Sequence, residues 1–174
     1  NNQKTSDVTV TRGALDTSAF YEIRKQGNVS FGYIELSTFG TDTAKQVEIA
    51  LEMFKKKNIQ TLVIDLRDNG GGYLTAATDI LDLFFTSDEV IYQMKEKNSA
   101  AKKYYAESDK KYEFENGYIL VNENTASASE LTAGALQSEK GYQLIGKTTY
   151  GKGSAQTQKT LSDGSVLKYT YAKW

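Results

Sequence analysis

Apolar and polar positions alternate along the chain in stretches that switch regularly between strand-like and helix-like spacing. Residues 29–37 are rich in β-branched and aromatic types and read as a strand. Val47, Ala50, Leu51 and Phe54 then recur at helical spacing. Thr43-Ala44-Lys45-Gln46 before them has the form of a capping box, and Lys55-Lys56-Lys57 after them suits a solvated helix C-terminus. The short run Thr61-Leu62-Val63-Ile64-Asp65-Leu66 has the character of a buried strand. A Gly-rich turn follows, then a second helix over 74–85 with Ala77, Ile80, Leu81 and Phe84 inward. Further strands are expected over 90–94, 118–121 and 143–145, with a third helix over 128–137. The charged, Tyr-rich segment 95–115 reads as a surface excursion with a hairpin around Tyr104-Tyr105. The C-terminal stretch predicts a hairpin, 155–161 and 165–172, about a Ser162-Asp163-Gly164 turn. Residues 1–7 read as a frayed end, and Val8-Thr9-Val10-Thr11 alternates like an isolated strand. Because strand–helix–strand recurs, the expected class is α/β, with parallel strands and right-handed crossovers.

Composition narrows the chemistry more than the fold. At 174 residues, 39% apolar and 25% charged, the chain suits one domain with a proper core. A formal net charge of −1 argues against an electrostatic nucleic-acid binder. No apolar run reaches membrane-spanning length, and no signal-peptide pattern opens the sequence. There is no cysteine and no histidine. Disulfides and Cys-based metal sites are thereby excluded. Any nucleophilic serine must also be deprotonated by something other than imidazole, and lysine is the best remaining base.

Three motifs are candidates for that chemistry. Ser127, in Asn124-Thr125-Ala126-Ser127-Ala128-Ser129-Glu130, falls at a strand–turn–helix junction. A nucleophile there would sit at the C-terminal edge of the sheet, beside helix amides that suit an oxyanion. Ser127 or Ser129 could equally be a plain helix cap. Lys152 lies between Gly151 and Gly153, where the backbone can pass close to other groups, although most of the other lysines must be surface groups. In Asp65-Leu66-Arg67-Asp68-Asn69-Gly70-Gly71-Gly72, successive glycines can aim amides at a bound oxygen. The spacing fits neither a P-loop nor a dinucleotide fingerprint, and a simple tight turn is the alternative.

Taken in order, these segments resemble the C-terminal processing peptidases, or tail-specific proteases, a family of Ser-Lys endopeptidases. The matching stretches are 63–72, 125–136 and 146–156, followed by Leu161-Ser162-Asp163-Gly164-Ser165, and the likeness covers about Gly27 to Trp174. The resemblance implies a crotonase-like core of repeated β-β-α units plus the C-terminal β-hairpin. It implies Ser127 as nucleophile, Lys152 as base, Gln156 as the residue orienting the lysine, and an oxyanion hole from Gly71 or Gly72 with Ala128. It implies no metal or organic cofactor. Implied substrates are unfolded or C-terminally tagged polypeptides with apolar C-termini, and a homo-oligomer is compatible with it. An extracytoplasmic setting is also implied, with a membrane tether and an adjoining PDZ domain in the full-length protein. Residues 1–26 would then be a linker or PDZ remnant and 27–174 the protease core, truncated at its C-terminus. Two departures stand out: Gly70 where the family usually has proline, and Ser138 where many members carry aspartate. The alternatives are a catalytically silent module that binds peptides or apolar ligands, and an acyl-transfer enzyme on a related scaffold.

Overall fold

The residues described by the computed structural model are 17–108 and 111–174, so the frayed end and the Val8–Thr11 strand lie outside them. The apolar pattern sorts these residues into β1 (Ala19–Gln26), β2 (Val29–Leu36), α1 (Thr43–Lys56), β3 (Thr61–Asp65), α2 (Leu74–Leu81) and β4 (Val90–Glu96). Then follow β5 (Lys102–Tyr105), β6 (Asn116–Val121), α3 (Ala128–Lys140), β7 (Gln143–Gly146), β8 (Ser154–Thr160) and β9 (Val166–Lys173). The main sheet has the order β1-β2-β3-β6-β7. β1 and β2 form an antiparallel hairpin, and every later neighbour pair in this sheet is parallel. A smaller sheet, β5-β4-β9-β8, stands beside it. The α/β class with a parallel sheet and a C-terminal hairpin is the observed architecture.

The core is continuous. Leu62, Ile64 and Leu66 from β3 and its exit meet Ala50, Leu51 and Phe54 from α1, Ala77 and Ile80 from α2, and Leu136 from α3. The face expected on α1 is the buried face. Among the described residues, no helix is long and apolar enough to cross a membrane.

Four local expectations change. Residues 19–26, set apart from the core on sequence, pair along the whole of β2 as an edge strand of the main sheet. Phe20 stays 54% exposed, so the strand lacks the inward alternation that would announce it. The capping box at Thr43 and Gln46 does not form, because other partners, one local and one tertiary, take the two side chains. Asp42 is the N-cap, the Thr43 hydroxyl accepts from Gly40 N–H at 2.8 Å, and Gln46 Oε1 accepts from Ala19 N–H at 2.9 Å. The second helix ends at Leu81 rather than 85, and a tight turn there drives Phe84 and Phe85 into the core. The hairpin in the Tyr-rich segment turns between β4 and β5, with Tyr92 and Tyr104 stacked across it at 4.5 Å, rather than at Tyr104-Tyr105.

One buried group in α3 is badly served. The Thr132 hydroxyl is fully buried with no partner among the described residues. Replacing it with a methyl of the same shape removes a desolvation cost without opening a cavity. Thr132→Val is therefore expected to stabilise the fold by about 1 kcal/mol. A urea midpoint that falls in this variant would show that the hydroxyl has a partner.

Candidate active site

The three sequence motifs meet because they leave neighbouring strands at one sheet edge. β3, β6 and β7 are adjacent and parallel, so their exits, the Gly-rich turn, the Ser127 turn and the Lys152 loop, emerge side by side. This is the edge at which open α/β sheets place their sites. Backbone and side-chain bonds stitch the turns together. The Thr125 hydroxyl donates to Leu66 O at 2.8 Å, and Ala126 N–H donates to Asn69 O at 3.0 Å. Tyr150 N–H donates to Thr125 O at 3.0 Å. Gly146 must be glycine for the third exit to pass, since a Cβ there would lie 1.9 Å from Val121 O.

Ser127 is the N-cap of α3 at φ 58° and ψ −118°, a conformation that costs a non-glycine residue about 1–3 kcal/mol. The turn is thus a strained strand-to-helix elbow. Ser129 has a different place: it is fully buried and its hydroxyl donates to Asn69 O at 3.0 Å. The Ala128 amide is the first of α3 and so has no intrahelical acceptor. Behind the elbow, Gly71 at φ +99° approaches so closely that a Cβ would meet Ala126 O at 2.8 Å, Ser127 Cβ at 2.9 Å and Ala128 N at 3.0 Å.

Asn69, which sequence reasoning did not single out, fixes the Gly-rich turn. It is fully buried, its Nδ2 donates to Leu36 O at 2.7 Å, and its Oδ1 accepts from Gly71 N–H at 2.9 Å. The Gly71 amide is thus engaged. The signal was an asparagine followed by glycines, the composition of a side-chain-closed turn. Upstream, buried Asp65 accepts from Tyr33 Oη at 2.6 Å and from Arg67 through both backbone and guanidinium. Burial alone would raise its carboxyl; the Arg67 and Tyr33 bonds outweigh this and hold it below the usual range.

A cleft of about 490 Å³ opens in front of the elbow. Ser127, Ala128, Gly72, Lys152 and Gln156 all line it, together with Tyr73, Leu131 and Trp174. Gln156 follows a register shift against β9 and its amide faces the Thr170 hydroxyl at 3.5 Å. Glu130, noted on sequence only as part of the serine motif, lies between the serine and lysine segments. Its Oε2 accepts from Ser127 N–H at 2.8 Å and Lys152 N–H at 2.9 Å, and its Oε1 from Gly151 N–H at 2.6 Å. Burial would raise this carboxyl too, but the Thr149 hydroxyl and the three amides bring it below the usual range.

The same fold recurs in Photosystem II D1 C-terminal processing protease, with a TM-score of 0.80 at 27% identity over 93% of this chain and 44% of that one. Mature CPAF shares the fold alone, with a TM-score of 0.69 at 11% identity over 88% of this chain and 45% of its own. The fold it shares with a processing protease, together with a matching family profile, places the chain among the peptidase families. More narrowly, it belongs to Peptidase family S41, whose profile matches residues 30–174. It is 36% identical over 168 residues to carboxy-terminal processing protease CtpA of Bacillus subtilis, covering 97% of this chain and 35% of that protein. To CtpB of the same organism it is 39% identical over 160 residues, covering 92% of this chain and 33% of the relative. The chain thus spans about a third of the length of the relatives it matches.

Proposed function

We propose that this chain is the catalytic core of a serine endopeptidase with a Ser-Lys dyad that cleaves polypeptides, with preference for unfolded or C-terminally tagged ones. The observation that carries the reading is Ser127, held at a left-handed φ on the helix elbow and facing a cleft that Lys152 also lines. In the reaction, the Lys152 amine takes the proton from the Ser127 hydroxyl as its Oγ attacks the scissile carbonyl carbon. The resulting oxyanion is held by the Ala128 amide and a glycine amide. Of the two glycines, Gly72 fits better, because it lines the cleft while the Gly71 N–H is committed to Asn69. Collapse breaks the C–N bond, and the Lys152 ammonium returns its proton to the leaving amine. Water deprotonated by the same lysine then cleaves the acyl-enzyme and restores Ser127. Gln156, which lines the same cleft from β8, is assigned to orient the lysine by turning its amide from Thr170.

The substrate class follows the names of the relatives and the apolar lining at Tyr73, Leu74, Leu131 and Trp174. An extracytoplasmic setting, with a membrane tether and a PDZ domain in the full-length protein and a homo-oligomeric state, belongs to the same proposal. The test incubates wild type and Ser127→Ala with an unfolded protein bearing an apolar C-terminal tail, and reads products by mass spectrometry. It is run on the chain alone and with its flanking segments. Cleavage by wild type only, with a fluorophosphonate adduct on Ser127, is the expected result. Binding of the tail without cleavage or adduct in either form would reject the peptidase in favour of a silent binding module.

A further inference from the structure

We propose that Glu130 is the positioning residue that sets the Ser127 elbow and the Lys152 loop in register, acting on both through their backbones. The inference rests on the Ser-Lys reading and adds to it the group that aligns the dyad. One carboxylate offers about four acceptor sites and no donor. Here those sites meet the Ser127, Gly151 and Lys152 amides and the Thr149 hydroxyl, so each oxygen bridges partners that need an acceptor.

Two observations make this bridge decisive for geometry. Gly151 is at φ +87°, and a Cβ there would meet nothing within 4 Å, so side-chain packing does not hold the loop at that point. Between the Tyr150 bond to Thr125 O and the Trp174 bond to Gly153 O, the Glu130 bonds to Gly151 and Lys152 set where the lysine starts from. On the other side, the Ser127 conformation is unfavourable for a side-chain-bearing residue, and its own N–H is the one held by Glu130. The carboxylate is turned to the backbone rather than to the ammonium: among the described residues Lys152 has no ion pair. Glu130 thus acts through alignment and not as a proton donor or acceptor in the reaction.

The experiment compares wild type with Glu130→Gln, which keeps length and shape but turns one acceptor oxygen into a donor facing N–H groups. Expected is a fall in kcat of about 100-fold with KM unchanged, because misplacement of the order of 1 Å carries that loss. The rate of fluorophosphonate labelling of Ser127 should fall in parallel, in a protein whose circular dichroism is unaltered. A Glu130→Gln labelled and turning over at the wild-type rate overturns the inference while leaving the dyad standing. A wild type that is neither labelled nor active overturns the dyad reading and the inference with it. If Glu130→Gln does not fold, Thr149→Val removes one donor and leaves the three amide bonds. It is expected to lower kcat about fivefold at constant KM, and an unchanged kcat there overturns the proposal.

Discussion

Lys152→Ala is expected to abolish turnover as completely as Ser127→Ala, by about 10⁴-fold or more in kcat, and the double variant to be no worse than either. The reason is chemical unity. A serine hydroxyl is a weak nucleophile until a base takes its proton, and the chain contains no histidine that could substitute. Lys152 lines the same cleft as Ser127, on a loop tied to the serine's own helix through Glu130. Independent contributions would instead multiply, leaving the double variant far below the singles. The measurement is kcat/KM for all four proteins on one fluorogenic peptide. A Lys152→Ala enzyme within about 100-fold of wild type would reject the lysine as base.

The second large effect is expected at a residue that carries no side chain. Gly71→Ala should lower kcat by about 10²-fold, the loss that misplacement of the order of 1 Å at the elbow carries, with a smaller loss of stability. Its Cβ would enter the space against Ser127 Cβ and Ala128 N, at 2.9 and 3.0 Å. Neither contact is with the movable end of a long side chain, so the elbow itself must shift. The φ of +99° adds backbone strain of about 1–2 kcal/mol. Gly70→Ala is the control, since a Cβ there meets nothing within 4 Å, and its kcat should stay within about twofold of wild type. Equal losses at both positions would mean that the turn responds to general stiffening, and that close approach of Gly71 to the elbow is not what activity needs.

The parts of this design that sequence reveals are those written in local order. The buried run 61–66, the apolar face of α1 and the closing hairpin each carry their own periodicity, and each forms where expected. Ser127 and Lys152, the proposed dyad, stand out in sequence because their motifs have a distinctive order, and both line one cleft. What was not legible depends on partners far along the chain. Gln46 looked like a capping residue, yet its oxygen belongs to Ala19, and β1 is defined by its pairing with β2 rather than by its own pattern. Asn69 and Glu130 are ordinary turn and helix residues in sequence. Their importance comes from joining segments at separations such as the 33 residues to Leu36 and the 22 to Lys152. The choice between the two proposed oxyanion glycines rests instead on a local bond, from the Gly71 amide to Asn69, and on Gly72 being the one that lines the cleft.

The placement of the three turns on adjacent parallel strands also has a kinetic meaning. Parallel pairings such as Ile64↔Ile119 and Ile119↔Leu144 join residues distant in sequence, and their loop-closure entropy must be met before they form. Neither a nascent chain nor a partly folded one contains the edge, because the edge exists only once β3, β6 and β7 lie together. Under the proposed function, the chain has no competent site while its own backbone is still exposed as a substrate. Topology alone would then guard the polypeptide against digesting itself or its siblings during synthesis.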